Sequence, residues 1–532
     1  MHFDAALIVD LLVIVGYFVA VVYVGLTFGE RENSLEDFAL GGRSMPWWAV
    51  LASIIAAETS AATFLGTPGE GFSLVSYAYL QIAVGTVLGR IVVASLFIKK
   101  FYDLNVYSIY EFLQSRFGPG TRKIASATFL LTRVLASGAR LYVAAIVLAV
   151  GFSLFTGSQP TTAEQLAIYI GSILLITLIT AVYTSVGGIK AVIWTDCIQS
   201  AVMFGGACAA IIVIIAKLPG GLTSLQSFLS STPLPVFVSG TTSGANLSAN
   251  LKQILTTDYT IWAALLGSVF TTLATHGTDQ DMVQRMLTAT DYKKSQLSLV
   301  LSGLADIPIG FIFLTIGILL HLFFQLQPDQ ALPAKNSEVF AYFILKQMPV
   351  GLRGLLVAGI FATSMGSLSA ALNALATTFT RDWSSSGKQD SGKQSVRTAR
   401  IFTYVFAALM IVVATATAYF VIEHPDSRII PIVLGIFGYT YGSLLGVFLL
   451  GLVTKNRGCD EGNYVAMLGG FIVVGLSTGL FKQLFDCIGL TCPPLLAEAP
   501  VIAFPWRIMI GALTTLLIGA LFSSKKTTES MS

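Results

Sequence analysis

Apolar runs of about 17–25 residues recur along the whole chain, each long enough to cross a hydrocarbon core of about 30 Å as a helix. Inside such a core no water is present to bond the backbone, so a spanning segment must satisfy its own N–H and C=O groups. Repeated runs of this length predict an all-α polytopic membrane protein. Composition points the same way. Of 532 residues, 55% are hydrophobic and only 11% are Asp, Glu, Lys or Arg, against about 25% charged residues in ordinary soluble domains. A soluble enzyme, a nucleic-acid binder and a disordered scaffold are all poorly compatible with so little charge.

The runs lie near residues 6–28, 47–69, 72–98, 121–152, 163–186, 190–216, 259–283, 296–325, 350–380, 398–421, 429–453, 462–484 and 502–523, thirteen spans in all. No Lys or Arg precedes the first run, which is also longer than a signal-peptide core, so it reads as a true span. Thirteen spans put the termini on opposite sides, and the basic residues decide which is which. With the N-terminus outside, Lys99, Lys100, Arg116, Arg122, Lys123, Lys293, Lys294, Arg381, Lys455 and Arg457 all fall inside. The outer segments keep a smaller set that includes Lys217, Lys252, Lys335 and Arg507. The expectation is a multi-pass protein of the cell membrane, N-terminus outside and C-terminus cytoplasmic.

Five units follow. Residues 1–46 form a peripheral helix and a cytoplasmic loop, and residues 47–216 a block of five helices. Residues 217–258 are an outer loop rich in Ser, Thr, Gly and Pro, and 259–453 a second block of five. Residues 454–532 give two peripheral helices and a tail. The amphipathic stretch Pro333 to Met348 reads as an outer surface helix, and Ser384 to Val396 as a flexible cytoplasmic loop. The net charge of +3 points to no polyanionic partner. Cys197, Cys208, Cys459, Cys487 and Cys492 are too scattered for a disulfide framework or zinc site. Cys487 and Cys492 share one loop, and both a disulfide and two free thiols stay open there.

Polar residues inside spans are expensive and mark functional candidates. Glu58, Thr59, Ser60 and Thr63 interrupt the second span, and Thr275, His276, Gly277, Thr278, Asp279 and Gln280 interrupt the seventh. These two spans open the two five-helix blocks. Interrupted helices at matching positions of two halves point to a five-plus-five inverted repeat with a site near the bilayer midplane, the plan of a secondary transporter. The ninth span adds Thr363, Ser367, Ser369 and Asn373 among small residues that permit close helix approach. Hydroxyls and freed carbonyls suit a hard cation such as Na⁺, as oxygen ligands do for other hard cations.

The segments FALGGRSMPWWA (38–49), AAETSAATF (56–64), YSIYEFLQSRFG (107–118), VGGIKAVIWTDCIQ (186–199), GTDQDMVQRMLTA (277–289) and GSLSAALNALATTFTRD (366–382) resemble the sodium–solute symporter family. The resemblance runs over nearly the whole chain and implies a LeuT-like fold, with helices 2 and 7 discontinuous. It implies a main sodium site at Ala56, Thr59, Thr363, Gly366 and Ser367. Gly366 stands where the family has Ser or Thr, so one hydroxyl ligand is missing; a water, Ser364 or Ser369 are the replacements in view. A second sodium site would use Ser60, Thr63, Asp196 and Ser369, with Ala370 at a further serine position. For the solute, the candidates are Glu58, Gln81, Arg140, Thr275, His276, Asp279 and Tyr441. Arg133 and Arg140, seven residues apart, share a helix face, and either is a candidate partner for Glu58.

The function implied is Na⁺-coupled import of a small organic solute (sugar, carboxylate or amino-acid type) by alternating access. The partners are Na⁺, the solute and the lipid bilayer, with no nucleic acid and no obligatory protein partner. A proton-coupled carrier, with Glu58 or Asp196 as the protonation site, and an anion-transporting member of the same fold are the alternatives. Enzyme chemistry is not expected: His2, His276, His321 and His424 have no metal-ligand spacing, and no nucleophile motif is present.

Overall fold

The computed structural model describes residues 5–28, 34–384, 392–424, 429–487, 493 and 501–523. Among them the regular elements are helices; β contacts are limited to isolated bridges such as Met45 to Ala289. The helices used below are α1 (Ala5–Thr27), α2 (Trp47–Glu58), α3 (Ala61–Leu74), α4 (Gln81–Val93), α5 (Pro119–Leu141), α6 (Thr162–Lys217), α7 (Ser268–Gly277), α8 (Gln280–Met286), α9 (Tyr292–Leu326), α10 (Asn336–Gln347), α11 (Leu352–Phe379), α12 (Lys393–Glu423) and α13 (Ile429–Val453). Eight helices among the described residues are long and apolar enough to cross a membrane, or nine when α2 and α3 count as one broken span.

The expected spans at 163–186 and 190–216 both lie in α6. A straight helix of its 56 residues would reach about 84 Å, far beyond a bilayer. The chain turns at Gly188 (φ 50°, ψ −150°), backbone that only glycine adopts readily, and so forms two legs. The seventh span is divided too: α7 ends at Gly277, Thr278 and Asp279 are non-helical, and α8 follows.

The axis bends by 63° between α2 and α3. Thr59 (φ −81°, ψ 81°) and Ser60 (ψ 173°) leave the helical region there. Ser60 N turns back to Glu58 O at 3.0 Å, so Ala56 O loses the amide that a continuous helix would supply. Below the break, α11 packs against both halves, and it is buried almost along its whole length.

Two expectations about the connecting segments are corrected. The stretch from Pro333 to Met348 does form a helix, α10, but not on the outer surface. Val339, Phe340, Phe343 and Ile344 are buried, and Phe340 stacks on Phe64 of α3 at 5.6 Å; protein, rather than solvent or headgroups, covers its apolar face. The loop 217–258 carries two helices, Gly221–Ser231 and Leu247–Thr256. It is tied down where Pro235 O accepts from Tyr77 N and Val238 O from Ile261 N, both at 2.9 Å. Of the expected loop from Ser384 to Val396, residues 385–391 lie outside the described residues, and α12 begins within it at Lys393. A Cys487–Cys492 pairing also lies outside them.

Asp10 is a carboxylate within the first span that has a purely structural partner set. Its oxygens accept from Gly351 N (2.7 Å), Gly354 N (3.0 Å) and Arg353 Nε (2.5 Å), clamping α1 to the start of α11. A very close helix crossing lies between α3 and α9, where Gly317 meets Pro68. A Cβ at Gly317 would overlap Pro68 O and stand 2.7 Å from Phe72 N. Gly317→Ala is therefore expected to lower stability by about 1–3 kcal/mol, the cost of overpacking a filled interior. Gly205→Ala, where a Cβ meets nothing within 4 Å, leaves the melting temperature of the purified protein level or slightly raised, as a helical glycine with room for a methyl allows.

Candidate functional site

The two breaks face a common cavity of ≈ 270 Å³, near the lower limit of the roughly 300–1,000 Å³ found for drug-sized ligands. Of the residues expected from the sequence, Glu58, Ser60, Thr63, Arg140, Thr275, His276 and Asp279 line it, along with Arg133, Tyr79, Thr86 and Phe437. A side cavity of ≈ 160 Å³ shares Glu58 and Thr63 and is also lined by Thr59 and Asp306.

Glu58, the last residue of α2, has a different partner from either arginine proposed for it. Arg90 on α4, buried, donates through Nη2 to Glu58 Oε1 and Oε2 at 2.5 and 2.6 Å. The same Nη2 reaches Asp306 Oδ2 on α9 at 2.7 Å, and Nη1 donates to Ser302 Oγ at 2.6 Å. His276 completes the group, with Nε2 2.8 Å from Glu58 Oε1.

Arg133 instead serves the second break. It donates to Asp279 Oδ2 at 3.0 Å and pairs with Asp281. Asp279 also caps α8, accepting from Asp281 N at 2.9 Å, and takes the Tyr441 hydroxyl at 2.7 Å. Tyr441 is thus fully buried behind Asp279 rather than on the cavity wall. Arg140 is left over. Its Nε donates to Ala136 O at 3.2 Å and its guanidinium lies 5.5 Å above the Phe437 ring. Among the described residues no carboxylate forms an ion pair with it.

Gln81 is not brought to the cavity. Its amide donates to Ala78 O (3.1 Å) and Tyr259 O (3.4 Å) and accepts from Val238 N (3.1 Å). Every polar atom of this buried side chain is engaged in holding the outer loop.

The oxygens expected to take sodium lie where α11 meets the break. Thr363 Oγ1 donates to Ile360 O at 2.8 Å and Ser367 Oγ to Ser364 O at 3.1 Å. Ser369 Oγ donates to Gly366 O at 3.0 Å. Each hydroxyl proton is spent inside the helix, so what remains outward is lone pairs, the half of a hydroxyl that a cation uses. At Gly366 the space of a side chain is already filled: a Cβ there would overlap Gln199 Oε1 and lie 3.3 Å from Asp196 Oδ1. Gln199 Oε1 thus lies where a side chain at position 366 would begin.

Asp196 is engaged through Oδ2, which accepts from Ser53 Oγ at 2.6 Å and pairs with Arg285 Nη1 at 2.5 Å. A fixed cation thus already stands beside this carboxylate.

Arg90, Asp306, Arg285 and Gln199 were not among the expected site residues. Arg90 and Asp306 each sit as a lone charge in an apolar run, and the cost of burying a lone charge was the signal that they need each other.

The sodium:solute symporter family matches residues 38–470. A sodium/sialic acid symporter of Proteus mirabilis is 28% identical over 83% of this chain and 84% of its own length. The sodium-dependent multivitamin transporter of Oryctolagus cuniculus is 29% identical over 92% of this chain and 72% of its own. A solved structure of a Na⁺-coupled sialic acid symporter, in a substrate-bound outward-open state, superposes with a TM-score of 0.77 at 24% identity. It covers 96% of this chain and 97% of the other, which is a likeness of fold. With most of its length matched, the chain belongs to the sodium:solute symporter family.

Proposed function

We propose that the protein couples the inward Na⁺ gradient to import of a small solute bearing a carboxylate. The observation that carries the solute class is Arg140, a guanidinium on the wall of the cavity with no carboxylate among the described residues paired to it. A half-buried arginine on a cavity wall favours an anionic partner, and its planar fork matches a carboxylate in two parallel hydrogen bonds. The other charges on the wall are already matched: Glu58 by Arg90, and Asp279 by Arg133. Names of relatives support an acid: sialic acid for the Proteus mirabilis protein and monocarboxylates for a human one.

In this reading, thirteen spans, N-terminus outside and C-terminus cytoplasmic, are arranged as two inverted five-helix repeats at 47–216 and 259–453. Carbonyls of Ala56 and Thr59 with Thr363 and Ser367 hold one Na⁺, and Gln199 Oε1 supplies oxygen at the Gly366 position. Thr275, His276 and Arg140 face the solute. Ser60, Thr63 and Ser369 would complete a second sodium site only with Asp196, whose charge Arg285 already meets, so one Na⁺ per cycle is favoured. Sodium draws α11 and the α2–α3 break together and favours the outward-open state; inward opening parts them and releases it. Coupling arises because the ion binds the two states unequally. One Na⁺ and one carboxylate crossing together move no net charge, so the membrane potential adds nothing and accumulation follows the Na⁺ gradient alone.

The melting temperature of the purified protein is expected to rise in NaCl over KCl at equal ionic strength, growing with concentration as linkage requires. Ser367→Ala combined with Thr63→Ala abolishes the rise while the protein remains folded; an undiminished rise places the ion elsewhere. In saturating NaCl, a panel of sialic acid, lactate and glucose should stabilise the protein only with an acid. Arg140→Gln should weaken that acid at least about 30-fold, as loss of one partner of a buried charge pair costs about 2–5 kcal/mol. Stabilisation by glucose alone overturns the carboxylate assignment.

A further inference from the structure

The side cavity that adjoins the solute cavity has a different chemical character. Glu58, Thr63, Tyr79, Ile82 and Thr86 line both, so the two spaces meet along a common wall. Arg140 lines only the larger space, and Asp306 and Thr67 only the smaller. The polar side chains of the side cavity are two carboxylates, four threonines and the Tyr79 phenol. Each ends in oxygen; among the described residues no Lys, Arg, His, Asn or Gln lines it. Arg140, in the other space, offers donors and no acceptor.

Two groups of the side cavity have bonding capacity to spare. Asp306 turns Oδ2 toward Arg90 Nη2 at 2.7 Å and Thr86 Oγ1 at 3.3 Å, while Oδ1 accepts from no described residue. The side chain is 24% exposed, so it is open to the cavity rather than sealed behind it. Arg90 lines neither space and already serves Glu58 with the same nitrogen. It therefore stands behind the two carboxylates and leaves their cavity side free. Thr67 is 1% exposed, and its Oγ1 has no hydrogen-bond partner among the described residues, a costly state for a buried hydroxyl. Thr63 and Thr67, four apart on α3, lie one above the other on the same helix face. Oxygens gathered around a carboxylate suit a positively charged group that only donates. A primary ammonium has three donors and no acceptor.

We propose that the side cavity receives an ammonium group of the solute while Arg140 holds its carboxylate, so that the solute is an amino acid with the two groups on different carbons. The separation follows from the walls, because Arg140 and Asp306 line no space in common. The proposal rests on the carboxylate reading and deepens it. Such a solute is neutral overall, so with one Na⁺ each cycle carries one positive charge inward. The membrane potential then contributes roughly 50-fold accumulation across 100 mV.

The test is thermal stabilisation of the purified protein in saturating NaCl, with affinities read from its dependence on solute concentration. The probes are β-alanine, γ-aminobutyrate and δ-aminovalerate, set against propionate, butyrate and valerate, which lack the amine. A further probe, γ-hydroxybutyrate, carries a neutral hydroxyl in its place. At least one amine is expected to bind about 10-fold tighter than its parent acid, the gain of a charge-assisted hydrogen bond. Asp306→Asn keeps the shape and should cancel most of that preference. Thr67→Val should reduce it about 3-fold. The Thr67 hydroxyl has no partner to strand, so this variant folds even if Asp306→Asn, which releases Arg90, does not.

No amine binding more tightly than its parent acid, the result of an Asp306 neutralised by its own proton, overturns the proposal. So does γ-hydroxybutyrate binding as well as γ-aminobutyrate. A NaCl-specific rise in melting temperature that Asp306→Asn abolishes without any solute puts the metal ion itself in the side cavity, and overturns it too. The carboxylate reading fails separately. Butylamine stabilising the protein through Asp306 while no acid does sinks that reading and leaves the ammonium site standing. Acids that bind through Arg140 with no gain from an amine do the reverse.

Discussion

Arg90 is the residue on which the site depends. It reaches from α4 to Glu58 at the break and to Asp306 on α9, so three elements meet at one guanidinium. An arginine suits this position because its fork offers several donors at fixed angles, whereas a lysine is a single mobile point. A broken helix within a membrane leaves polar backbone groups that must line a cavity or find partners. With Glu58 fixed by Arg90, α2 ends at a defined residue, and Ala56 O is left without the Ser60 amide of a continuous helix. Removing one member of such a group exposes the rest to an uncompensated buried charge, a loss of about 3–5 kcal/mol.

The second break is organised by the same means from the opposite side. Asp279 caps α8 and in turn is held by Arg133 and Tyr441. Each interruption therefore has a carboxylate at its edge and an arginine from a neighbouring helix against it. The two arrangements leave Arg140 as the unmatched charge on the cavity wall, and the solute reading depends on that contrast.

Much of this was legible in the sequence because membrane spans are constrained so tightly. The length of the apolar runs gave the class, and polar residues at the middle of two runs placed the breaks within Glu58–Thr63 and Thr275–Gln280, which the backbone narrows to Thr59–Ser60 and Thr278–Asp279. What the sequence withheld was pairing. Arg133 and Arg140 looked equally suited to Glu58, since helical spacing says which residues share a face but not what stands opposite. Gln81 was polar in the right span, yet the loop beyond it claimed its amide. The helix α10 looked like a surface element because its amphipathic pattern is the same whether headgroups or Phe64 cover the apolar face. Gly366 showed that a hydroxyl was absent, but only the packing of α6 against α11 revealed that Gln199 fills the room.

The Gly317 crossing bears on how such a molecule can move. Backbone touches backbone there, so α3 and α9 have no compressible side chains between them to absorb sliding, and interiors packed this closely pass displacement on rather than damping it. With α10 wedged against α3 as well, these three helices form one stiff plate beside the break. Any reorientation of that plate has to be taken up where the backbone already departs from helix, at Thr59 and Ser60, which makes the edge of the proposed ion site and the hinge of the motion the same two residues.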